Sequence, residues 1–512
     1  MATPHLAHST PAAGGRPARR WWALVAMALG LLSINLDFTV VNLGLAQMQR
    51  DLDTSLADLQ WVINGYTLAL SGSVVIAGRL GDALGRKRVY LAGVLAFTAA
   101  AALAALAPSV EVLIGARAVQ GLGAAMVYTV SLAILGDAFA REERSRALAI
   151  WTAVAALGLA AGPLVGGAVV ESASWRWIFV LLVPFALASF AIAFAAVQES
   201  RDETAPRSID IGGVVMSAVA LVALVSLLIQ VGSWGIASAT SAIVAGLVLV
   251  AVPAFVAIER RASVPLLELA LFANGRFLGA VIASFVLAFV AWAALFFLPL
   301  DFQHVRDDST LVAGVLLLPC TVLWALTSLA TGRIVQRVGT RLPIAAGLAL
   351  AAAGLAVLAV RDPALELVLA ALAVVGIGIG VAFAPMTAAA LNAVPAAKAG
   401  MAAGALLMAR MVGATFGVAT SGSVFTWLQN RKLDALEQPL SRADIADVTA
   451  LLSGSASAAD ALSGFPPATA RVLVADAAEA FSYGLTGVMA FSGCVAAIGA
   501  VLVFVLGRRE VR

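Results

Sequence analysis

GRLGDALGRKRV, residues 78–89, and GRIVQRVGTRLP, residues 332–343, stand 254 positions apart, each where an apolar stretch ends and basic residues begin. The same register recurs elsewhere. Gly121 and Gly123 have counterparts 255 positions on in Gly376 and Gly378, and Gly158, Gly162 and Gly166 in Gly413, Gly417 and Ser421. Three matches at nearly one offset mark a duplication. Two similar helical halves in one apolar chain are what alternating access requires, because two bundles have to rock about a site between them.

The composition places both halves in a bilayer. The chain is 62% hydrophobic and 12% charged, against roughly 45–50% and 25% in soluble domains. Apolar runs long enough to cross about 30 Å of hydrocarbon as helices fall near 22–47, 59–80, 89–107, 111–135, 147–170, 177–197, 212–230, 240–258, 277–300, 311–334, 342–360, 364–389, 400–428 and 481–506. That is fourteen spans. With the N-terminus inside, 22 Lys or Arg fall in cytoplasmic segments and four, Arg50, Arg176, Arg306 and Arg361, in short outer loops. The positive-inside bias puts both termini in the cytoplasm.

The repeat offset matches spans one to six with nine to fourteen, so spans seven and eight are an inserted hairpin. The expected organisation is a cytoplasmic tail at 1–20, a six-helix bundle at 21–200, the hairpin with its flanking loops at 201–275, a second six-helix bundle at 276–507, and a tail at 508–512. Neither hairpin span carries a charge, which predicts lipid-facing or linker helices. The segment 429–480, with Pro439, Pro466 and Pro467, predicts an outer loop or cap in which ADIADVTALL and ARVLVADAAEAF form short helices. Cys320 and Cys494 both sit in apolar spans, so neither a disulfide framework nor a metal pair is expected, and both read as packing residues. The first span is expected to be retained rather than cleaved.

Several residues carry chemistry. In the loop of residues 78–89, Gly78 and Gly85 allow sharp turning, while Asp82 can pair with Arg79, Arg86 or the positive end of a neighbouring helix. Such a contact would lock one conformational state and release in the other. Asp37 lies near the middle of span one, where a carboxylate is costly unless it faces a partner or water. Arg117 in span four falls at similar depth, about 5 Å further out, with Gln120 one turn away. Burial penalises the carboxylate and a guanidinium beside it favours it. Arg410, deep in span thirteen, has no acid at similar depth in its own half, and Asp301 reads as a solvated span end. Gly158, Gly162 and Gly166, with Pro163 and Gly167, make a small-residue stripe that permits close helix approach. Pocket walls need apolar and aromatic groups with few polar ones; the candidates are Asn42, Asn64, Tyr66, Gln120, Trp292, Phe296 and Met386.

GRLGDALGRKRV resembles the loop signature of the major facilitator superfamily. LDFTVVNLGLAQM (36–48), LQWVINGYTL (59–68), ARAVQGLGAAM, GLAAGPLVGG, WRWIFVLLVPF and LFANGRF are together similar to its fourteen-span drug:proton antiporter branch. The resemblance covers residues 21–506. It implies an all-α polytopic membrane protein, two six-helix bundles plus an inserted hairpin, in a bacterial inner membrane. It also implies proton-coupled efflux of hydrophobic drugs or other small molecules, cationic ones included. Asp37 and Arg117 would serve proton coupling, and the 158–167 stripe would be an antiporter motif at the pivot between halves. The driving force would be the proton gradient, with no cofactor and no metal, and the chain would act as a monomer.

Alternatives stay open: a dedicated exporter of an endogenous metabolite, antibiotic or lipid, or a proton-coupled uptake symporter. A membrane enzyme or sensor fits poorly. His5, His8 and His304 lie outside the apolar runs, and neither an H-E-x-x-H pattern nor paired intramembrane carboxylates occur. No phosphate-binding G-x-x-x-x-G-K-[ST] loop is present, so ATP is not expected as a direct partner, nor is nucleic acid.

Overall fold

The computed structural model describes residues 17–139, 141–201, 211–234, 238–262, 268–361, 363–395, 399–435 and 467–507. The N-terminal half comprises α1 (Pro17–Asp51), α2 (Leu56–Leu84), α3 (Arg86–Ala105), α4 (Val110–Ala138), α5 (Arg141–Ser172) and α6 (Arg176–Ala196). The hairpin is α7 (Ile211–Trp234) and α8 (Ala239–Arg261). The C-terminal half comprises α9 (Gly275–His304), α10 (Thr310–Val338), α11 (Arg341–Leu358), α12 (Leu365–Asn392), α13 (Ala399–Asp434) and α14 (Pro467–Leu506). All fourteen contain a stretch long and apolar enough to cross a membrane, so the chain is a multi-pass membrane protein.

Local chemistry sets the helix ends. Ser55 and Asp58 form a reciprocal capping box at α2, each side chain accepting the other's backbone N–H at 3.2 Å, which satisfies donors the first turn leaves free. The asparagine of LFANGRF, Asn274, accepts the Arg276 N–H at 2.9 Å and donates to the Ala393 carbonyl at 3.0 Å. It thereby starts α9 and ties it to the end of α12.

The duplication is written in contacts as well as letters. Gly121 of α4 packs on the Tyr66 carbonyl of α2, and Gly376 of α12 packs on the Cys320 carbonyl of α10. Gly123 faces Gly93 and Phe97 of α3, and Gly378 faces Gly347 and Ala351 of α11. Gly85 (φ 110°) and Gly339 (φ 74°), at the repeat offset, are the two positive-φ glycines among the described residues. Each breaks the chain between two helices where a side chain would be strained. One set of helix crossings is thus built twice.

Burial follows from this arrangement. α1 and α9 occupy the middle of their bundles, with 83% of the apolar window of each buried, whereas α8 buries 11%. α1 packs on α5 and α6, α9 on α13 and α14, and the halves meet where α5 lies on α10 and α2 on α13.

Three expectations change. α7 is not a lipid-facing linker: Val225 and Ile229 join Leu68 of α2 and Ala419 of α13 in one apolar cluster, and Ser423 of α13 donates its hydroxyl to the Leu228 carbonyl. An uncharged face is compatible with lipid and with a helix seam alike, and here the seam takes α7 while α8 stays outside. ARVLVADAAEAF is no separate helix but the first turns of α14, held because Leu473, Ala477 and Ala480 are buried and Glu479 pairs with Lys432 of α13 at 3.1 Å. Cys320 is buried, but Cys494 is exposed and is no packing residue. The remainder of the expected outer loop, 436–466, lies outside the described residues, as do the tails at 1–16 and 508–512.

Candidate functional site: a buried ion pair and an aromatic path between the bundles

Asp37 and Arg117 meet. One guanidinium nitrogen of Arg117 lies 2.7 Å from both Asp37 oxygens and donates to the Gln120 carbonyl oxygen at 2.8 Å, while the Gln120 amide reaches Asp37 at 3.5 Å. Arg117 also donates from Nε to the Val62 carbonyl at 3.2 Å, and its guanidinium lies 4.3 Å from the Tyr66 ring. Asp37 and Gln120 are 0% exposed and Arg117 is 1% exposed. α1, α2 and α4 therefore enclose a charge-neutral pair, with the guanidinium also bonded to α2 and to Gln120 of α4. Buried pairs of this kind persist only with such supporting bonds.

The asparagines flanking Asp37 do not contribute. Asn35 donates to the Leu31 carbonyl at 2.8 Å and Asn42 to that of Phe38 at 2.9 Å, both within α1. Asn64 has both amide atoms buried without a partner, as is the Tyr66 hydroxyl.

From Tyr66 a run of aromatic rings crosses to the other half. Ring centroids are separated by 5.3 Å from Tyr66 to Phe38, 5.5 Å to Trp292, 6.4 Å to Trp324 and 6.0 Å to Phe383. The guanidinium of Arg410 then lies 4.4 Å from the Phe383 ring and beside the Tyr128 side chain of α4, and Tyr128 packs on Trp151 at 5.7 Å. Among the expected wall residues, Tyr66, Gln120 and Trp292 belong to this assembly. Phe296 packs instead with Phe297, which leads through Phe425 to Phe481. Met386 is buried in α12. Phe38, Phe383 and Tyr128 had no individual signal in the sequence, because ring-rich helices do not declare which face meets a partner.

Contacts between the halves concentrate toward the end remote from the chain termini. Gly167 of α5 lies against Thr310 and Leu311, and Gly314 of α10 against the Pro163 carbonyl. Glu171 accepts the Leu311 N–H at 2.8 Å, Gln303 donates to the Leu43 carbonyl at 3.4 Å, and Gln60 crosses to Gly422. Nearer the middle, Thr67 bonds Thr415 at 2.7 Å and Thr321 the Ala160 carbonyl at 3.3 Å. The glycine stripe serves two surfaces. Gly158, Gly162 and Gly166 press on Leu32, Thr39 and Val40 of α1 inside their own bundle, and Pro163 and Gly167 meet α10. The expectation that the whole stripe lies between the halves is corrected accordingly.

At the opposite end Asp82 accepts from Arg86 at 2.8 and 3.1 Å, and Arg86 reaches Asp137 of α4 at 2.6 Å. Glu199, just past α6, accepts the Lys87 and Arg88 backbone N–H groups at 3.0 and 3.3 Å and so caps α3 with a negative charge. Its carboxylate occupies the space a Cβ on Gly85 would need. Gly78 and Gly81 let α2 approach Thr129 and Val130. Asp137 and Glu199 were not singled out from the sequence, since each is an ordinary charge near a helix end. Asp301 is 6% exposed and lies 3.6 Å from Arg306, so it is a paired residue rather than a solvated one. His304, expected outside the spans, is the last residue of α9, with both ring nitrogens buried and without a partner.

The major facilitator superfamily pattern matches residues 27–418. The multidrug resistance protein Stp of Mycobacterium tuberculosis is 37% identical over 408 residues, covering 79% of this chain and 76% of that one. The multidrug efflux pump LfrA of Mycolicibacterium smegmatis is 32% identical over 504 residues, covering 98% and 99%. In fold, a bacterial homolog of the human lysosomal transporter Spinster, solved inward-facing and unoccupied, superposes with a TM-score of 0.70 at 16% identity over 96% of this chain and 98% of that one. A chain built as two duplicated six-helix bundles with an inserted hairpin, matched over most of its length by these proteins, belongs to the major facilitator superfamily of secondary transporters, with relatives named for multidrug efflux.

Proposed function

We propose that this protein exports hydrophobic small molecules across a bacterial inner membrane in exchange for protons, with Asp37 as the group that alternately holds and yields the proton. The observation that carries this reading is the enclosed Asp37–Arg117–Gln120 cluster, with Asp37 0% exposed and in contact with a guanidinium. Arg117 compensates the charge of a carboxylate there, and when the pair separates, taking up a proton avoids an uncompensated charge. The aromatic path beginning at Tyr66 would carry the substrate. Both termini and the 78–89 loop would lie on the cytoplasmic side, which makes the closed end the outer one. The proton gradient is the driving force, since one charge crossing 100 mV is worth about 2.3 kcal/mol.

Substrate-induced proton flux in proteoliposomes, read with a pH-sensitive dye, tests the assignment. Wild type is expected to dissipate an imposed gradient when substrate is added, and Asp37→Asn, which keeps the shape and removes the charge, to fall to background. Proton exchange at near wild-type rate in Asp37→Asn would move the coupling site elsewhere. A symporter would respond to substrate with the opposite sign. A dedicated exporter is the second reading, favoured by 33% identity over 419 residues, 81% of this chain and 78% of that one, to the tetracenomycin C resistance and export protein of Streptomyces glaucescens. Narrow substrate competition would distinguish it.

A further inference from the structure

The two arginines deep in the spans differ in what neutralises them. Arg117 has Asp37. Arg410 has the Tyr128 hydroxyl and the Phe383 ring face, and no carboxylate among the described residues pairs with it; its Nε is buried and without an acceptor. A ring face and one neutral hydroxyl offset part of the cost of taking a guanidinium out of water, but they leave its full positive charge in place. The fork of five N–H donors is matched by a planar anionic oxygen pair, and its Nε donor is without an acceptor.

Arg410 also stands where a passing molecule would be handled. It extends from α13 in the C-terminal half to Tyr128 in the N-terminal half, and it ends the run of rings that starts at the Arg117 cluster. A flat apolar body can lie along Phe38, Trp292, Trp324 and Phe383 while an acidic oxygen at its end reaches the guanidinium. We propose that Arg410 is a specificity-determining residue that receives a carboxylate, enolate or phenolate of the transported molecule, so that the preferred substrates are aromatic or otherwise flat apolar acids. This deepens the export reading and rests on it for direction. An anion leaving a cell whose interior is negative moves with the electrical field, and Arg410 neutralises it on the way. Tyr128 positions the guanidinium from the other half.

The test uses full-length purified protein and three pyrene probes with one skeleton: 1-pyrenebutyric acid, its methyl ester and 1-pyrenebutylamine, with binding followed by pyrene fluorescence at a pH where the acid is ionised. Wild type is expected to bind the acid at least about tenfold more tightly than the ester, and the amine most weakly. Arg410→Gln is expected to lose about tenfold for the acid and to leave the ester within about twofold, and Arg410→Lys, a point charge without the fork, to keep part of the preference. Equal binding of acid and ester by wild type, or failure to bind the acid at all, overturns the proposal whatever the variants do. So does an equal loss for acid and ester in Arg410→Gln, which would make the residue a structural tie between the halves. Proton-driven movement is measured separately on wild type. Acid preference without such movement removes the export reading and leaves the anion site; movement without acid preference does the reverse.

Discussion

Each half of this transporter places an arginine deep within a span, and the two are compensated in opposite ways. Around Arg117 the N-terminal half supplies a carboxylate at 2.7 Å, an amide and a backbone carbonyl, so the cluster is self-sufficient and nearly closed to solvent. Around Arg410 the C-terminal half supplies a ring, and the opposite half a hydroxyl. Duplication has preserved the helix crossings but not the charges. The comparison teaches that the repeat conserves the scaffold but not the charges: one half holds an arginine paired with a buried acid, the other an arginine with no carboxylate partner among the described residues, and the proposed proton exchange would rest on the first.

The sharpest way to break this contrast is to remove each cation. Arg117→Met leaves Asp37 buried without its partner and is expected to lower stability by about 3–5 kcal/mol, seen as a large fall in the apparent Tm of purified protein. Adding Asp37→Asn to that variant is expected to restore most of the loss, because the double change removes both charges. If the single and double variants melt alike, the pair is not the unit described here. Arg410→Met removes a cation that has no carboxylate partner among the described residues, so its stability is expected within about 1 kcal/mol of wild type or above it; a fall in Tm as large as that of Arg117→Met would erase the contrast.

The closed end provides the next test. Gly167→Val places a branched side chain against the Thr310 and Leu311 backbone and is expected to cost the closed arrangement about 1–3 kcal/mol. Labelling of a single cysteine introduced beside Leu43 should accelerate accordingly, and unchanged labelling would mean that the contact does not hold that end shut. The smallest effect is expected at the loop. Asp82→Asn removes one arm of a half-exposed pair with Arg86, and such pairs are worth about 0.2–1 kcal/mol, so accessibility on the loop side should change by no more than about fivefold. A larger shift would make Asp82 a latch in its own right.

Much of the fold was legible because it is periodic. Fourteen apolar runs and glycines repeated at one offset fix the number of helices and which pairs approach closely. Asp37 and Arg117 were legible as a pair because charge at span depth is costly and both lie at similar depth. Arg410 was legible as an anomaly but not as a site. Its neighbour across the halves, Tyr128, lies 282 positions earlier, and no periodicity relates the two. The aromatic path was hidden for a related reason: in helices surrounded by lipid, a ring facing outward and a ring facing a partner leave the same letters. The start of α14 at Pro467 was missed because polar residues interrupt its first turns while Leu473, Ala477 and Ala480 still bury one face.

α7 lies across the line where α2 and α13 meet, touching Leu68 on one side and Ala419 on the other, with Ser423 bonded to its backbone. A strip glued over a hinge crack cannot stay attached to both leaves when they swing apart. Whenever the closed end opens, α7 must part from α2 or from α13, surrendering apolar contact on the side it leaves to lipid tails. The inserted hairpin would therefore set a toll on opening that end, exacted by a helix that carries no charge.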